Sequence, residues 1–327
     1  MAATDAHTKT EVSAREKVHL PSGETTCAAW HYPGTNGGCV VMAAGAAVTK
    51  EPGTDRFATR FNQAGFTVLA FDFRHLGESG GEPRQVVSVR KQQADYEAAI
   101  KFARTLPEVD PERIAIWGFS LAGGHVIAVA ARHPDLAAAI AQIPLADAPA
   151  VAPIAIHHAT LPTFLRLVAR GVVDAIGGLF GREPLLVPLA AERGFVAAVN
   201  SPDGQDGQRA LDPHGDYPDW QQEIAARSAI AVGFYRPVRT ASRIESPLLV
   251  VACDGDQTVL PGPGIRAAER APRGEVALLP GGHYSPFLGC HERAVEAQMG
   301  FLRRHLLGSA QATDARAVAE VSLEETA

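Results

Sequence analysis

Three residues of this sequence have the side chains needed for acyl transfer through a covalent intermediate. Ser120, Asp256 and His283 each follow an apolar run that reads as a strand, and they occur in that order along the chain. A histidine can accept the serine proton at one ring nitrogen while its other nitrogen donates to a carboxylate that fixes its tautomer. We therefore predict Ser120 as the nucleophile, His283 as its base and Asp256 as the carboxylate that orients the histidine.

The segment WGFSLAGG gives Ser120 the setting of a nucleophile elbow, because an apolar strand precedes it and a helix follows. Gly118 and Ala122 supply the small residues that such a sharp turn needs two positions before and after the serine. Alone, this short pattern also fits a turn serine that caps the following helix. The acid and the histidine that follow in the order Ser, acid, His favour the catalytic interpretation.

Two carboxylates compete for the role of the acid, since VVACDGDQTVLP contains both Asp254 and Asp256. We choose Asp256 because a short loop with Val259 and Pro261 follows it and leads into the next helix. The alternative role of Asp254 is that of a turn residue that binds nearby backbone.

An oxyanion formed during acyl transfer needs amide donors that are already in place. In the elbow arrangement one donor is the amide of the residue after the serine, here Leu121, and the other comes from a loop after an early strand. The loop MAAGAAVTK fits this role, with Ala46 as the predicted second donor and Ala47 as the next choice. The alternative is an ordinary turn between a strand and a helix.

The elements that must position these residues alternate along the chain. Short apolar runs typical of buried parallel strands alternate with segments of helical periodicity, which predicts a doubly wound α/β fold. The predicted strands are 40–47, 67–74, 113–120, 136–145, 246–256 and 275–283, and the predicted helices are 54–65, 89–106, 121–133, 262–271 and 291–307.

The segment 147–242 interrupts this alternation, and we predict that it is an inserted, mainly helical cap on a core formed by 16–146 and 243–308. Residues 1–15 and 309–327 are predicted to be flexible termini. A group of apolar cap residues could line a substrate pocket or simply pack the cap on the core. These residues are Leu161, Phe164, Leu165, Leu167, Val168, Val172, Val173, Ile176, Leu179 and Phe180.

The bulk composition excludes several classes of protein. The 327 residues are 46% hydrophobic and 20% charged with a formal net charge of -6, which suits a globular protein and offers no basic field for nucleic acid. The sequence shows neither a secretory signal nor a membrane-spanning run, so we expect a cytoplasmic protein with no membrane partner. The oligomeric state stays open, with a homodimer as one option.

We expect no cofactor and no metal ion. No G-x-G-x-x-G sequence follows the first predicted strands, which disfavours a dinucleotide. The pair His157–His158 lacks further ligands, and the four cysteines lack metal-binding spacing, so we interpret the cysteines as reduced and structural.

From about residue 16 to residue 307 the sequence resembles the α/β-hydrolase superfamily, through Gly45-Ala46, FDFRHLGESGG, GFSLAGG, Asp256 and His283. Within it, FDFRHLGESGGEPRQ and GGHYSPF are similar to dienelactone-hydrolase-like and serine-aminopeptidase-like proteins and to some polyketide acyltransferases. The resemblance implies a Ser-His-Asp site beneath a cap. Departures from the usual pattern are Ala44, Ala122 and Cys253.

We therefore expect a serine hydrolase that cleaves a carboxylic ester or thioester of a small, largely apolar molecule. The same three residues could instead serve an acyltransferase or a carbon–carbon hydrolase that acts on a secondary metabolite. An aminopeptidase would need cap carboxylates for the substrate amine, for which Glu183, Glu192 and Glu223 are available. The non-enzyme alternative is a binding protein with a hydrolase fold.

Overall fold

A computed structural model describes residues 14–308 of the chain. Its central feature is an eight-stranded sheet in the order β1-β2-β4-β3-β5-β6-β9-β10, in which β2 is antiparallel to both of its neighbours and all other neighbouring strands are parallel. The strands of this sheet are β1 (Glu16–Ser22), β2 (Thr25–Tyr32), β3 (Cys39–Ala43), β4 (Thr67–Phe71), β5 (Ile114–Phe119), β6 (Ala138–Gln142), β9 (Leu248–Cys253) and β10 (Gly274–Leu279).

Helices cover both faces of the sheet, and the doubly wound prediction is confirmed. Strands β3, β4, β5, β6 and β9 are buried along their whole length, as expected for apolar runs covered on both faces. The helices are α1 (Lys50–Gln63), α2 (Val89–Ala103), α3 (Leu121–Ala130), α4 (Ala148–Ala159), α5 (Leu161–Leu179), α6 (Gly207–Leu211), α7 (Ala226–Val232), α8 (Pro261–Arg270) and α9 (His291–Leu302).

The boundaries differ from the prediction where apolar residues continue past a strand. Strand β3 ends at Ala43, so the last predicted strand residues, 44–47, lie in the loop before α1. The N-terminal hairpin of β1 and β2 was missed because β1 is mostly polar and the apolar run of β2 is only four residues long (27–30). Gly23 makes its turn with a φ of 62°.

The segment between β6 and β9 contains α4 to α7 and a small antiparallel sheet of β7 (Leu186–Pro188) and β8 (Glu223–Ala225). The predicted cap, 147–242, falls within this segment, and its small sheet was not foreseen. The predicted flexible termini lie outside the described residues, apart from residues 14, 15. Among the helices of residues 14–308, none combines the length and the apolar character needed to cross a membrane.

Candidate active site

Ser120 lies in a strained turn between β5 and α3. Its φ of 56° is unusual for a residue with a side chain, and such strain is typical of functional turns. A Cβ at position 118 would lie 2.5 Å from the Tyr96 hydroxyl and 2.6 Å from the Ala122 carbonyl oxygen, so the turn requires Gly118. Ala122 is fully buried, which shows that this turn accommodates one methyl group where the stricter pattern has glycine.

The structure brings Ser120, His283 and Asp256 together from three separate loops. The distance from His283 Nε2 to Ser120 Oγ is 3.2 Å, and His283 Nδ1 lies 2.8 Å from Asp256 Oδ2. His283 and Asp256 are almost completely buried. An aspartate beside Nδ1 places the ring proton there, which leaves Nε2 free to accept the serine proton.

The electrostatic environment of His283 favours its protonated form. Burial by itself lowers the pKa of the imidazole, but the nearby carboxylates of Asp256 and Asp203 more than offset this, and the net effect raises the pKa. These carboxylates therefore stabilise an imidazolium at this position.

The two candidate acids have different partners. Besides contacting His283, Asp256 accepts hydrogen bonds at Oδ1 from the amides of Thr258 (2.8 Å) and Val259 (3.0 Å). The Asp254 carboxylate instead accepts a hydrogen bond from the Gly281 amide at 3.0 Å. Asp254 thus links the acid loop to the histidine loop through backbone, while Asp256 contacts the imidazole.

The two predicted oxyanion donors lie beside the serine. Ala46 and Leu121 line the same cavity as Ser120, whereas Ala47 is buried behind that wall. Leu121 is the first residue of α3, where an amide has no acceptor within the helix. The approach of the Ala46 loop requires Gly45, since a Cβ there would lie 2.9 Å from Ser120 Cβ.

A buried ion pair fixes the loop that carries Ala46. Asp72, from the FDFRHLGESGG segment, accepts hydrogen bonds from the Lys50 amide (2.7 Å) and the Lys50 ammonium (3.0 Å) at the start of α1. Burial alone would lower the pKa of Lys50, but Asp72, Glu51 and Glu78 surround the ammonium and raise it. This part of FDFRHLGESGG therefore acts as a structural brace for the Ala46 loop.

The helix behind Ser120 is held by a second buried cluster. The ring of His125 on α3 lies 3.0 Å from Gln92 Oε1 at Nε2 and 3.1 Å from the Tyr235 hydroxyl oxygen at Nδ1. The Tyr235 hydroxyl donates to the Gly124 carbonyl at 3.0 Å. Burial lowers the pKa of His125 to about 3, so the ring is neutral at physiological pH. Tyr235 thereby ties the end of the cap segment to the elbow helix.

A cavity of about 590 Å³ opens beside Ser120, and its wall is mostly apolar. Of the cap residues expected at a pocket, only three line it. These are Phe164, Leu167 and Val168, all on one face of α5. The other seven, Leu161, Leu165, Val172, Val173, Ile176, Leu179 and Phe180, are between 49% and 84% exposed. The pocket expectation was wrong for them because α5 is apolar around most of its circumference, so periodicity does not show which face is inward.

Among residues 14–308, the polar side chains that line the cavity are uncharged. Besides Ser120 they are Asn200, Ser201, Gln257 and Thr258. The carboxylates considered for an amine subsite, Glu183, Glu192 and Glu223, do not line this cavity.

Sequence reasoning missed Asp203, which lies in the segment between β6 and β9 and contacts the loops that carry Asp256 and His283. Its carboxylate accepts hydrogen bonds from the amides of Gln257 (2.8 Å) and His283 (3.0 Å) and from the Thr258 hydroxyl (2.9 Å). Asp203 stands in an irregular, polar stretch of the sequence, where no period or motif distinguishes it from neighbouring acids.

Within residues 14–308 no group of three or more His, Cys, Asp or Glu side chains is placed to hold a metal ion. The rings of His157 and His158 meet edge to face with centroids 5.5 Å apart. The four cysteines are free thiols.

Comparisons with known proteins agree with this architecture. A family model described as serine aminopeptidase, S33, matches residues 37–285. The quorum-quenching protein AidA of Acinetobacter baumannii is 37% identical over 296 residues, which cover 88% of this chain and 94% of AidA. A polyketide transferase of Aspergillus fumigatus is 26% identical over 302 residues, or 89% of this chain and 99% of the transferase.

Among solved structures, the α/β hydrolase GrgF of Penicillium sp. sh18 is similar with a TM-score of 0.76 and 24% identity. The similarity covers 90% of this chain and 99% of GrgF. The superfamily resemblance and the α/β-hydrolase fold expected from the sequence are thereby confirmed.

Proposed function

Because this chain belongs to the serine aminopeptidase S33 family of α/β hydrolases, and is therefore a hydrolase, we propose that it cleaves a carboxylic ester or thioester with an apolar acyl group. The observation that carries the proposal is the contact of His283 Nε2 with Ser120 Oγ at the floor of an uncharged, mostly apolar cavity. In the proposed reaction Ser120 is the nucleophile, His283 the base and Asp256 the orienting acid.

The first half of the reaction forms an acyl-serine. As Ser120 Oγ attacks the substrate carbonyl carbon, its proton moves to His283 Nε2, and the carbonyl oxygen becomes an oxyanion near the amides of Ala46 and Leu121. The imidazolium then gives that proton to the leaving alcohol or thiol as the bond to the acyl carbon breaks. In the second half His283 takes a proton from a water molecule as the water attacks the acyl carbon. It then gives that proton to Ser120 Oγ as the bond between Oγ and the acyl carbon breaks and the carboxylic acid leaves.

The cavity wall supports an uncharged, apolar acyl group. Phe164, Leu167 and Val168 present hydrocarbon to the space beside Ser120, and the polar groups of the wall are neutral. A peptide with a free amino terminus would bring an ammonium group into this space without a carboxylate to pair with it, which is costly. The cavity therefore favours an ester or thioester over an aminopeptidase substrate.

Acyl transfer is the second candidate function, and the similarity to a polyketide transferase favours it. Transfer uses the same acyl-serine, which is then attacked by an alcohol or amine in place of water. The quorum-quenching name of AidA fits a hydrolase that degrades a small signalling molecule. Both candidates need the same first half reaction.

The test is turnover of p-nitrophenyl esters of graded acyl length by the purified protein and by Ser120→Ala. We expect the variant to lose at least 10³-fold in kcat, while the length preference of the native protein reports the depth of the cavity. Adding an alcohol or amine acceptor separates the candidates, since water as sole acceptor contradicts transfer. Equal turnover by the variant would contradict the proposed nucleophile.

A further inference from the structure

We infer that Asp203 is a positioning residue that lets the cap set both the geometry and the proton affinity of the catalytic histidine. The inference rests on the proposed function, in which His283 is the base for Ser120. Asp203 lies on the cap segment, whereas Asp256 and His283 lie on loops of the core. One cap carboxylate therefore contacts the two core loops that carry the acid and the base.

The contacts of Asp203 are divided between these loops. Oδ2 accepts hydrogen bonds from the Gln257 amide on the acid loop (2.8 Å) and from the His283 amide itself (3.0 Å). Oδ1 accepts the Thr258 hydroxyl at 2.9 Å. Hydrogen bonds to a carboxylate are stronger than neutral ones, so these three contacts fix the separation of the two loops.

The histidine loop leaves room for this carboxylate only because residue 282 is glycine. A Cβ on Gly282 would lie 2.9 Å from Asp203 Cβ and 3.2 Å from Oδ2. The backbone φ of Gly282 is not positive, so its conformation does not require glycine. The need for glycine here comes from the close approach of Asp203. Position 282 is therefore glycine because a side chain there would clash with Asp203 of the cap.

Asp203 also acts on His283 through its charge. The charged and titratable groups that face the imidazole are Asp256 on the acid loop, Asp203 on the cap, and Tyr284 on its own loop. Burial raises the pKa of the Tyr284 phenol and keeps it neutral. The amides of Gln257 and His283 offset the burial of Asp203 and lower its pKa, so it is ionised when the enzyme works. His158 of α4 lies in the field of Asp203 as well.

Two substitutions separate charge from geometry. In Asp203→Asn the side-chain oxygen can still accept from the two amides, while the new NH₂ donates to Thr258, whose hydroxyl can turn to Ser201 Oγ at 2.6 Å. This variant therefore removes mainly the charge. Asp203→Ala removes all three contacts. Asp206→Asn is the matched control, because Asp206 lies on the same turn but pairs with Arg209.

The experiment combines an NMR titration of labelled histidines with the pH profile of ester hydrolysis, and His283 is assigned from its missing signal in His283→Gln. We expect Asp203→Asn to lower the pH at which the His283 imidazole is half-protonated in the NMR titration. The fall of kcat/KM on the acid side of its pH profile should move to lower pH by the same amount. Asp203→Ala should lose about 10- to 10²-fold in kcat with KM within about twofold, since Asp203 is not part of the cavity wall. Asp206→Asn should change neither quantity.

An unchanged His283 midpoint in Asp203→Asn would overturn the inference, and so would an equal shift in Asp206→Asn. The titration needs no substrate, so it still decides the role of Asp203 if the protein hydrolyses no ester. Loss of activity in Ser120→Ala with no effect of either Asp203 variant would leave the proposed function standing and remove this inference.

Discussion

At the scale of single residues, the proposed chemistry depends on the proton affinity of His283. The carboxylates of Asp256 and Asp203 raise its pKa above the ordinary value of about 6.5. The imidazole must be neutral to accept the Ser120 proton, so kcat/KM should fall as the pH drops through this raised pKa. The charged pair stabilises the folded state at pH values below 6.5, and this contribution is lost as the pH rises through the raised pKa.

The assignment of the acid is also a matter of single residues. Asp256→Asn removes the charge beside His283 Nδ1 and lets the ring adopt the wrong tautomer, so kcat should fall by up to about 10⁴-fold. Asp254→Asn keeps an oxygen for the Gly281 amide and should stay within about tenfold of the native rate. Parallel kinetics of the two variants check this, and a larger loss in Asp254→Asn would reverse the assignment.

Sequence patterns could predict that Ser120, Asp256 and His283 come together, because each follows the carboxyl end of a parallel strand and these ends meet at one edge of the sheet. The positions of Ala46 and Leu121 beside Ser120 could also be predicted, since Ala46 follows β3 and Leu121 is the residue after the serine. Asp203 could not be predicted, since it belongs to an irregular cap loop whose position is set by tertiary contacts with Thr258 and His283.

At the scale of elements, α5 lies between the cavity and the solvent. Some of its apolar side chains line the cavity and others are exposed to solvent. Leu167 lines the cavity, while Leu165 on the outer side is 55% exposed. A strand buried in a parallel sheet can be predicted from its apolar run, but a helix that is apolar around most of its circumference does not show which face is inward. For this reason the strands could be predicted from the sequence and the pocket lining could not.

The two faces of α5 allow a matched test of the cavity. Leu167→Trp should fill part of the space beside Ser120 and lower kcat/KM for long p-nitrophenyl esters by about tenfold or more, with little loss for the acetate. Leu165→Trp adds the same side chain on the exposed face and should leave the length preference unchanged. Identical length profiles for both variants would show that the acyl group does not occupy this cavity.

At the scale of the whole molecule, buried neutral histidines make folding sensitive to acid. Burial lowers the pKa of His125 to about 3, far below its value in an unfolded chain. A lowered histidine pKa contributes stability that is present above pH 6.5 and is lost as the pH falls below that value, because only the unfolded chain takes up the proton. His291, whose pKa burial lowers to about 4, acts in the same direction.

The lowered pKa of His125 predicts that the free energy of unfolding falls by about 2 kcal/mol between pH 7 and pH 5. His125→Gln should be less stable than the native protein at pH 7, and the difference in unfolding free energy should shrink by about that amount at pH 5. Urea unfolding at both pH values measures it, with His19→Gln at an exposed position of β1 as the control. If the difference in unfolding free energy between the native protein and His125→Gln is the same at both pH values, then His125 is not held neutral in the folded state.

The most direct test of the central claim is labelling with a fluorophosphonate, which reacts with a serine activated by a neighbouring base. We predict one adduct per chain, located on Ser120 by peptide mass spectrometry and absent from Ser120→Ala, with labelling strongly slowed in His283→Gln. Labelling of another residue, or equal labelling of the Ser120→Ala variant, would contradict the account of Ser120 as the nucleophile.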